Sequence, residues 1–344
     1  MSNVQEIADE LVASGVERGL QVAAYVDGKQ VVDVVAGVAD PATGRPVTPG
    51  TLFYNWSIGK GATATLVHRL GLDPETRVVE VWPEFGKHGK DVVTVRQVLD
   101  HTAGVPGLPA GVTVDDVCSW PTMVAALEDA QPWWEPGTQV GYHAYTFGYL
   151  CGEIVRRVTG RELGDVLADL TAELGHPDEI RYGMADADGL AVPEDAPSDV
   201  DWSQVPADSP MLRAAPLTVM PTAALGADPR MIGADIPAGA KVTARALAAL
   251  YARWLESPQL ADVTTVSAEG EDQVYGGECR MSLGFSLWLP GDETASRAFG
   301  WAGAGGSWAG ADPDRGVAVA VTKNVLAMDF TAVERLVGAV LAEV

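Results

Sequence analysis

Apolar and charged positions alternate at helical spacing over residues 3–17, with Glu6, Asp9, Glu10 and Glu17 on the polar side. That pattern predicts an amphipathic helix. Two apolar, β-rich runs follow at 20–27 and 30–38. Asp27-Gly28-Lys29 joins them with a tight-turn signal, so the pair reads as a β-hairpin. The stretch 57–70 is small and apolar with few charges, which suits a buried helix better than a solvated one. Periodic segments near 94–100, 122–130, 145–158 and 161–173 make the centre helix-rich. Pro and Gly then rise from about 186 to 240, with Asp and Glu in the first half. A long irregular segment is expected there, of the kind that forms lids or substrate walls. Helical periodicity returns over 242–256. Runs at 283–289, 296–303 and 316–322 read as strands, and 331–342 as a closing helix. There is no internal repeat.

The order is hairpin, helical block, three strands, helix. Strand-forming segments at both chain ends that share one sheet imply a discontinuous α/β domain, 1–70 with 240–344. A mostly helical domain, 71–239, is then inserted between its halves, with 186–239 as the irregular part. Small-molecule sites favour the groove between two such units.

Composition narrows the function. The net charge of −24 argues against nucleic acid and anionic membrane surfaces as partners. The apolar content of 47% marks a globular chain. Cys118, Cys151 and Cys279 are widely spaced and form no Cys-x-x-Cys pair, so reduced thiols are expected rather than a disulfide framework or a zinc site. Residues 1–20 carry no apolar signal core, and no later run is long enough to span a bilayer. A cytoplasmic location is the expectation. The oligomeric state, homo-oligomer included, stays open.

The chemistry concentrates in Trp56-Ser57-Ile58-Gly59-Lys60. Three residues apart at a helix start, Ser57 and Lys60 share one face, within hydrogen-bond reach. A serine hydroxyl is a poor nucleophile until an adjacent amine takes its proton, and a lysine does so only when burial or nearby positive charge lowers its pKa. Trp56, Ile58 and Ala62 can supply the apolar wall. On spacing alone, an N-cap serine with a solvated lysine one turn on fits equally well. No His-Glu-x-x-His, P-loop or dinucleotide fingerprint is present. The pair therefore points to a covalent acyl-enzyme catalyst without metal or cofactor.

The segment resembles the first motif of the serine β-lactamase and penicillin-binding protein superfamily. Three further stretches agree in order. Thr94-Val95-Arg96-Gln97-Val98-Leu99-Asp100-His101-Thr102-Ala103-Gly104 resembles the T-V-R-x-L-L-x-H-T-S-G signature of the class C β-lactamase-like branch. Glu135-Pro136-Gly137-Thr138 with Tyr142 is similar to the stretch that brings in the second motif. Phe299-Gly300-Trp301-Ala302-Gly303-Ala304-Gly305-Gly306 is similar to the third-motif strand. The resemblance implies a β-lactamase/transpeptidase-like α/β (α+β) fold, with an antiparallel five-stranded sheet flanked by terminal helices and an inserted, mostly helical domain.

It also implies roles. Ser57 is the expected nucleophile, Lys60 its proton partner, and Tyr142 a relay to the leaving group. Nearby positive charge, Lys60 included, is expected to depress the Tyr142 pKa. The backbone N–H groups of Ser57 and Ala304 map to the oxyanion hole. Two motifs depart from β-lactamases. Tyr142-His143-Ala144 lacks the asparagine of Tyr-x-Asn, and Trp301-Ala302-Gly303 stands for Lys-Thr-Gly. An indole cannot pair with a substrate carboxylate as an ammonium does, so Trp301 is expected to pack on an apolar ester or acyl chain. Gly303 is expected to let substrate approach the strand closely, and His143 to assist in binding or stay structural. His101 reads as structural, tying a helix end to a loop. Trp133 and Trp134 either line the groove or cover the helical core. Ser307, in Gly305-Gly306-Ser307-Trp308-Ala309, nearly matches a nucleophile elbow, but a turn and a strand follow it instead of a helix.

This form resembles family VIII carboxylesterases and related acyltransferases. It implies a serine hydrolase acting on carboxylic esters of small molecules. An acyltransferase using the same Ser-Lys-Tyr site is the alternative, and a β-lactamase or D-amino-acid peptidase a weaker one. The joint presence of Ser57, Lys60 and Tyr142 argues against a non-catalytic binding protein on this scaffold.

Overall fold

A computed structural model describes residues 3–198, 200, 202–327 and 329–344. Its main sheet draws on both chain ends. Strands β1 (Gly19–Val26), β2 (Lys29–Asp40), β3 (Arg45–Pro46), β4 (Phe299–Gly303), β5 (Ser307–Asp312) and β6 (Val317–Lys323) lie in the order β4-β5-β6-β1-β2-β3. Every neighbouring pair is antiparallel. The sheet therefore has six strands where five were expected. The extra strand is the two-residue β3, which the Asp40 carboxylate brings back by accepting the Ala42 N–H at 2.9 Å and the Thr43 hydroxyl at 2.7 Å.

The two faces of the sheet are written in alternate residues. On β6, Val317, Val319 and Val321 pack with the terminal helices α1 (Asn3–Ala13) and α6 (Thr331–Glu343) through Val4, Leu11, Leu336 and Val337. Ala318 and Ala320 face the other way, into the larger core. Register places Ala23 opposite Ala320, Ala320 opposite Ala309, and Ala309 opposite Trp301. This row of small side chains lets helix α5 (Ala244–Leu255) sit close on the sheet. Trp301, at the end of the row, projects from the same face into the larger core, where it meets Phe147.

The run 283–289 is not a regular strand. Gly284 takes a left-handed φ of +96°, and the Ser282 N–H donates to the Phe285 carbonyl at 2.8 Å, closing a turn. Only Ser286 bridges, to Gly300 and Met281. Leu283, Phe285, Leu287 and Leu289 are all buried, so their alternation reports burial and not ladder pairing.

The helix expected over 57–70 begins later. Trp56–Gly59 form a single 3-10 turn, and α2 runs over Lys60–Arg69. Helices α3 (Thr146–Thr159) and α4 (Leu163–Glu173) pack against α2. The described part of 186–239 consists of short helical turns and a two-residue strand, with Ser209, Thr222 and Asp228 capping three of the turns. A small sheet pairs Phe53–Tyr54 with Lys241–Val242, and Lys241–Val242 with Ile180–Arg181. It brings the residues before Ser57 beside the chain that follows Ala238.

Candidate active site

In a 3-10 turn residues i and i+3 eclipse, which stands Lys60 directly over Ser57. Nζ lies 2.8 Å from Oγ and donates to the Ala238 carbonyl at 3.1 Å. Gly59 permits this approach, since a Cβ there would meet the Ala240 Cβ at 2.5 Å. Lys60 is 0% exposed, and no carboxylate pairs with it among the described residues. A bare buried ammonium costs several kcal/mol, so burial drives the Lys60 pKa well below the usual lysine value and favours the neutral amine. Trp56, just before Ser57, is a non-glycine residue at φ +49°, held by stacking on Tyr54 at 4.5 Å.

Tyr142 completes the group. Its phenol lies beside the Ser57 hydroxyl, and Lys60 Nζ sits 4.9 Å from its ring centroid. The expected depression of its pKa is not found. Burial raises it well above the usual tyrosine value, and the nearby Tyr275 and Asp272 raise it further. Tyr142 is thus a protonated phenol, a donor rather than a base, and the amine is the group able to accept a proton.

Neither the Ser57 nor the Ala304 backbone N–H meets a backbone acceptor among the described residues. Gly303 sets their relation. A Cβ at Gly303 would lie 2.1 Å from the Asn55 carbonyl oxygen and 3.6 Å from the Ile58 nitrogen. The close approach is therefore made by the chain's own Asn55–Ile58 segment, which corrects the expectation that Gly303 makes room for substrate. Gly303→Ala should force the β4 end away from that segment. The expected loss is about 1–3 kcal/mol of stability, read by denaturant unfolding, together with a fall in esterase kcat.

A family model for β-lactamase matches residues 4–342. The chain belongs to the β-lactamase family. It is 33% identical over 343 residues to the esterase/β-lactamase LipL of Mycobacterium tuberculosis, an alignment covering 90% of this chain and 77% of LipL. A family VIII carboxylesterase of known structure superposes with a TM-score of 0.89 at 28% identity, covering 98% of this chain and 95% of that one. A penicillin-binding protein homologue from Caulobacter crescentus gives 0.85 at 32% identity, covering 99% and 96%.

Two substrate-binding expectations change. His143 is 0% exposed, its Nδ1–H donates to the Gly141 carbonyl at 2.7 Å, and its Nε2 accepts the Val105 N–H at 3.1 Å. Burial holds its pKa down to about 4. With both ring nitrogens engaged it braces the loop and has no atom left for substrate. Trp301 is 3% exposed, and its indole N–H donates to the Gly284 carbonyl at 2.8 Å. Its ring packs 5.7 Å from that of Tyr142, backing the phenol instead of forming an open wall.

His101 bridges two segments. At φ +64° its Nδ1 accepts the His143 N–H at 2.9 Å, linking the end of the 95–99 helix to the Tyr142 loop. Ser307 is buried at 1% within β5. Trp134 is buried and donates to the Thr102 carbonyl, whereas Trp133 lines a separate cavity.

Asp272 and Tyr275 were not foreseen. Both Asp272 carboxylate oxygens lie 3.2 Å from the Tyr142 N–H, and one also accepts the Val274 and Tyr275 N–H groups. The Tyr275 ring stands edge-on to Tyr142 at 5.6 Å. An Asp followed by tight amide bonds is a common turn signal, and nothing in it points to a site 130 residues upstream.

Proposed function

We propose that this chain is a serine carboxylesterase acting on small-molecule esters. The observation that carries the reading is the 2.8 Å contact between Ser57 Oγ and a fully buried lysine that no carboxylate pairs with among the described residues. Lys60 Nζ takes the Ser57 proton as Oγ bonds to the ester carbonyl carbon. The Ser57 and Ala304 N–H groups hold the resulting oxyanion. Collapse breaks the bond to the alcohol oxygen, which takes the Tyr142 proton while Tyr142 recovers one from Lys60. Water then attacks the acyl-serine with the same residues, releasing acid and restoring Ser57.

The loss of the third-motif lysine supports esters over β-lactams or D-alanyl peptides, since Trp301 offers no ammonium to a substrate carboxylate. The described residues contain no helix long and apolar enough to cross a membrane. Three free cysteines support residence in the reducing cytoplasm. We assign the sheet to residues 1–70 and 240–344, and the inserted unit to 71–239.

The test is intact mass after brief exposure to p-nitrophenyl butyrate. One butyryl group per chain, mapped to Ser57 and discharged by water, is the expected result. No adduct and no p-nitrophenol release ends the assignment. Discharge to an added alcohol faster than to water moves the protein to the acyltransferases.

A further inference from the structure

A cavity of about 620 Å³ opens in the helical part of the molecule, within the size range of small-ligand sites. Leu108, Pro109 and Pro132 give it an apolar side, and Trp133 and Arg213 form its polar edge. Ser57, Lys60 and Tyr142 do not line it. Its nearest link to them is Val105, whose N–H is bound by His143, the neighbour of Tyr142.

Arg213 is unusual in this acidic chain. Every other described arginine has a carboxylate or carbonyl oxygen partner. Arg213, which is exposed, has none among the described residues, and its guanidinium carbon lies 4.1 Å from the Trp133 ring centroid. A guanidinium without an oxygen partner can take a carboxylate with two parallel bonds. Arg213 sits in the short Pro210–Ala214 helix and Trp133 in a loop. Leu108 N–H donates to the Arg213 carbonyl at 2.9 Å, and Gly107 lies so close to Trp133 that a Cβ would fall 2.5 Å from the indole. A guanidinium already held against an aromatic loses little freedom on binding. The one acid on the lining, Asp129, is three-quarters exposed and turned to Lys87 and His88.

We propose that this cavity binds a carboxylate carried on an apolar body, a reading that does not depend on the esterase assignment. Arg213 pairs with the carboxylate, and the aliphatic chain lies along Leu108, Pro109 and Pro132.

The test titrates octanoate and octanamide against the full chain and Arg213→Gln, read by tryptophan fluorescence and calorimetry. Octanoate should bind about 10-fold or more tightly than octanamide, and that margin should vanish in Arg213→Gln, as expected for a charged hydrogen-bonded pair. Equal affinities, or no octanoate binding up to about 10 mM, overturn the site. The same titration on Ser57→Ala speaks to the cavity even if the esterase assignment fails.

Discussion

Lys60→Met is expected to lower kcat/KM on p-nitrophenyl butyrate by about four orders of magnitude and yet to leave a folded, more stable protein near neutral pH. Methionine matches the length and fills the 0%-exposed space, but it cannot accept a proton. The stability gain follows from linkage. Lys60 titrates in the folded chain well below its ordinary 10.5, so between the two values the unfolded chain holds the extra proton. Stability therefore rises with pH across that window. The lysine's cost is fully present below the folded pKa and absent above about 10.5. The gain from Lys60→Met should accordingly be largest in mildly acidic buffer and should shrink toward pH 10, as read by urea midpoints along a pH series. The same ionisation gives wild-type kcat/KM an acidic limb. His143, with a pKa of about 4, is neutral through the working range and does not set it. Persistence of the full rate in Lys60→Met would remove the amine from the mechanism.

Ser57→Ala is the second large effect. Activity should fall by about four to six orders of magnitude, and the acyl adduct should disappear, because the replaced oxygen is the atom that forms the bond. The fold should be preserved, since only the hydroxyl is lost from a half-buried residue. Ser307→Ala is the matched control. Its Oγ is buried in β5 without a hydrogen-bond partner among the described residues, so removal should leave the rate intact. Activity surviving in Ser57→Ala and lost in Ser307→Ala would reverse the assignment.

Burial alone does not single out Lys60. Lys90 and Lys241 are also fully buried, with pKa values lowered to about 8 and about 7. Lys90 donates to the Glu128 and Ala130 carbonyls, and Lys241 to those of Tyr182 and Met231. Both are structural clips satisfied by backbone oxygen. Lys60 differs in touching a hydroxyl. Lys323 is buried too, paired with the Glu17 carboxylate at 2.8 Å, so four lysines are buried and only geometry separates them.

The local order of residues by itself determined most of the elements and the Ser57–Lys60 contact. Val/Ala alternation, the Asp27-Gly28 turn and the helical periodicities of the centre act over a few residues, and so does the Ser57–Lys60 spacing. They remain readable without a partner. Tertiary structure alone decided whatever depends on segments distant in sequence. It turned the apolar run 283–289 into a buried bend, and it filled the space beside Gly303 with Asn55. It placed His143 and Trp301 behind the site, and it brought Asp272 under Tyr142 and Arg213 onto Trp133. Each of these is a contact between chemically ordinary residues, fixed by packing and desolvation, and neither of those forces exists until the chain has closed on itself.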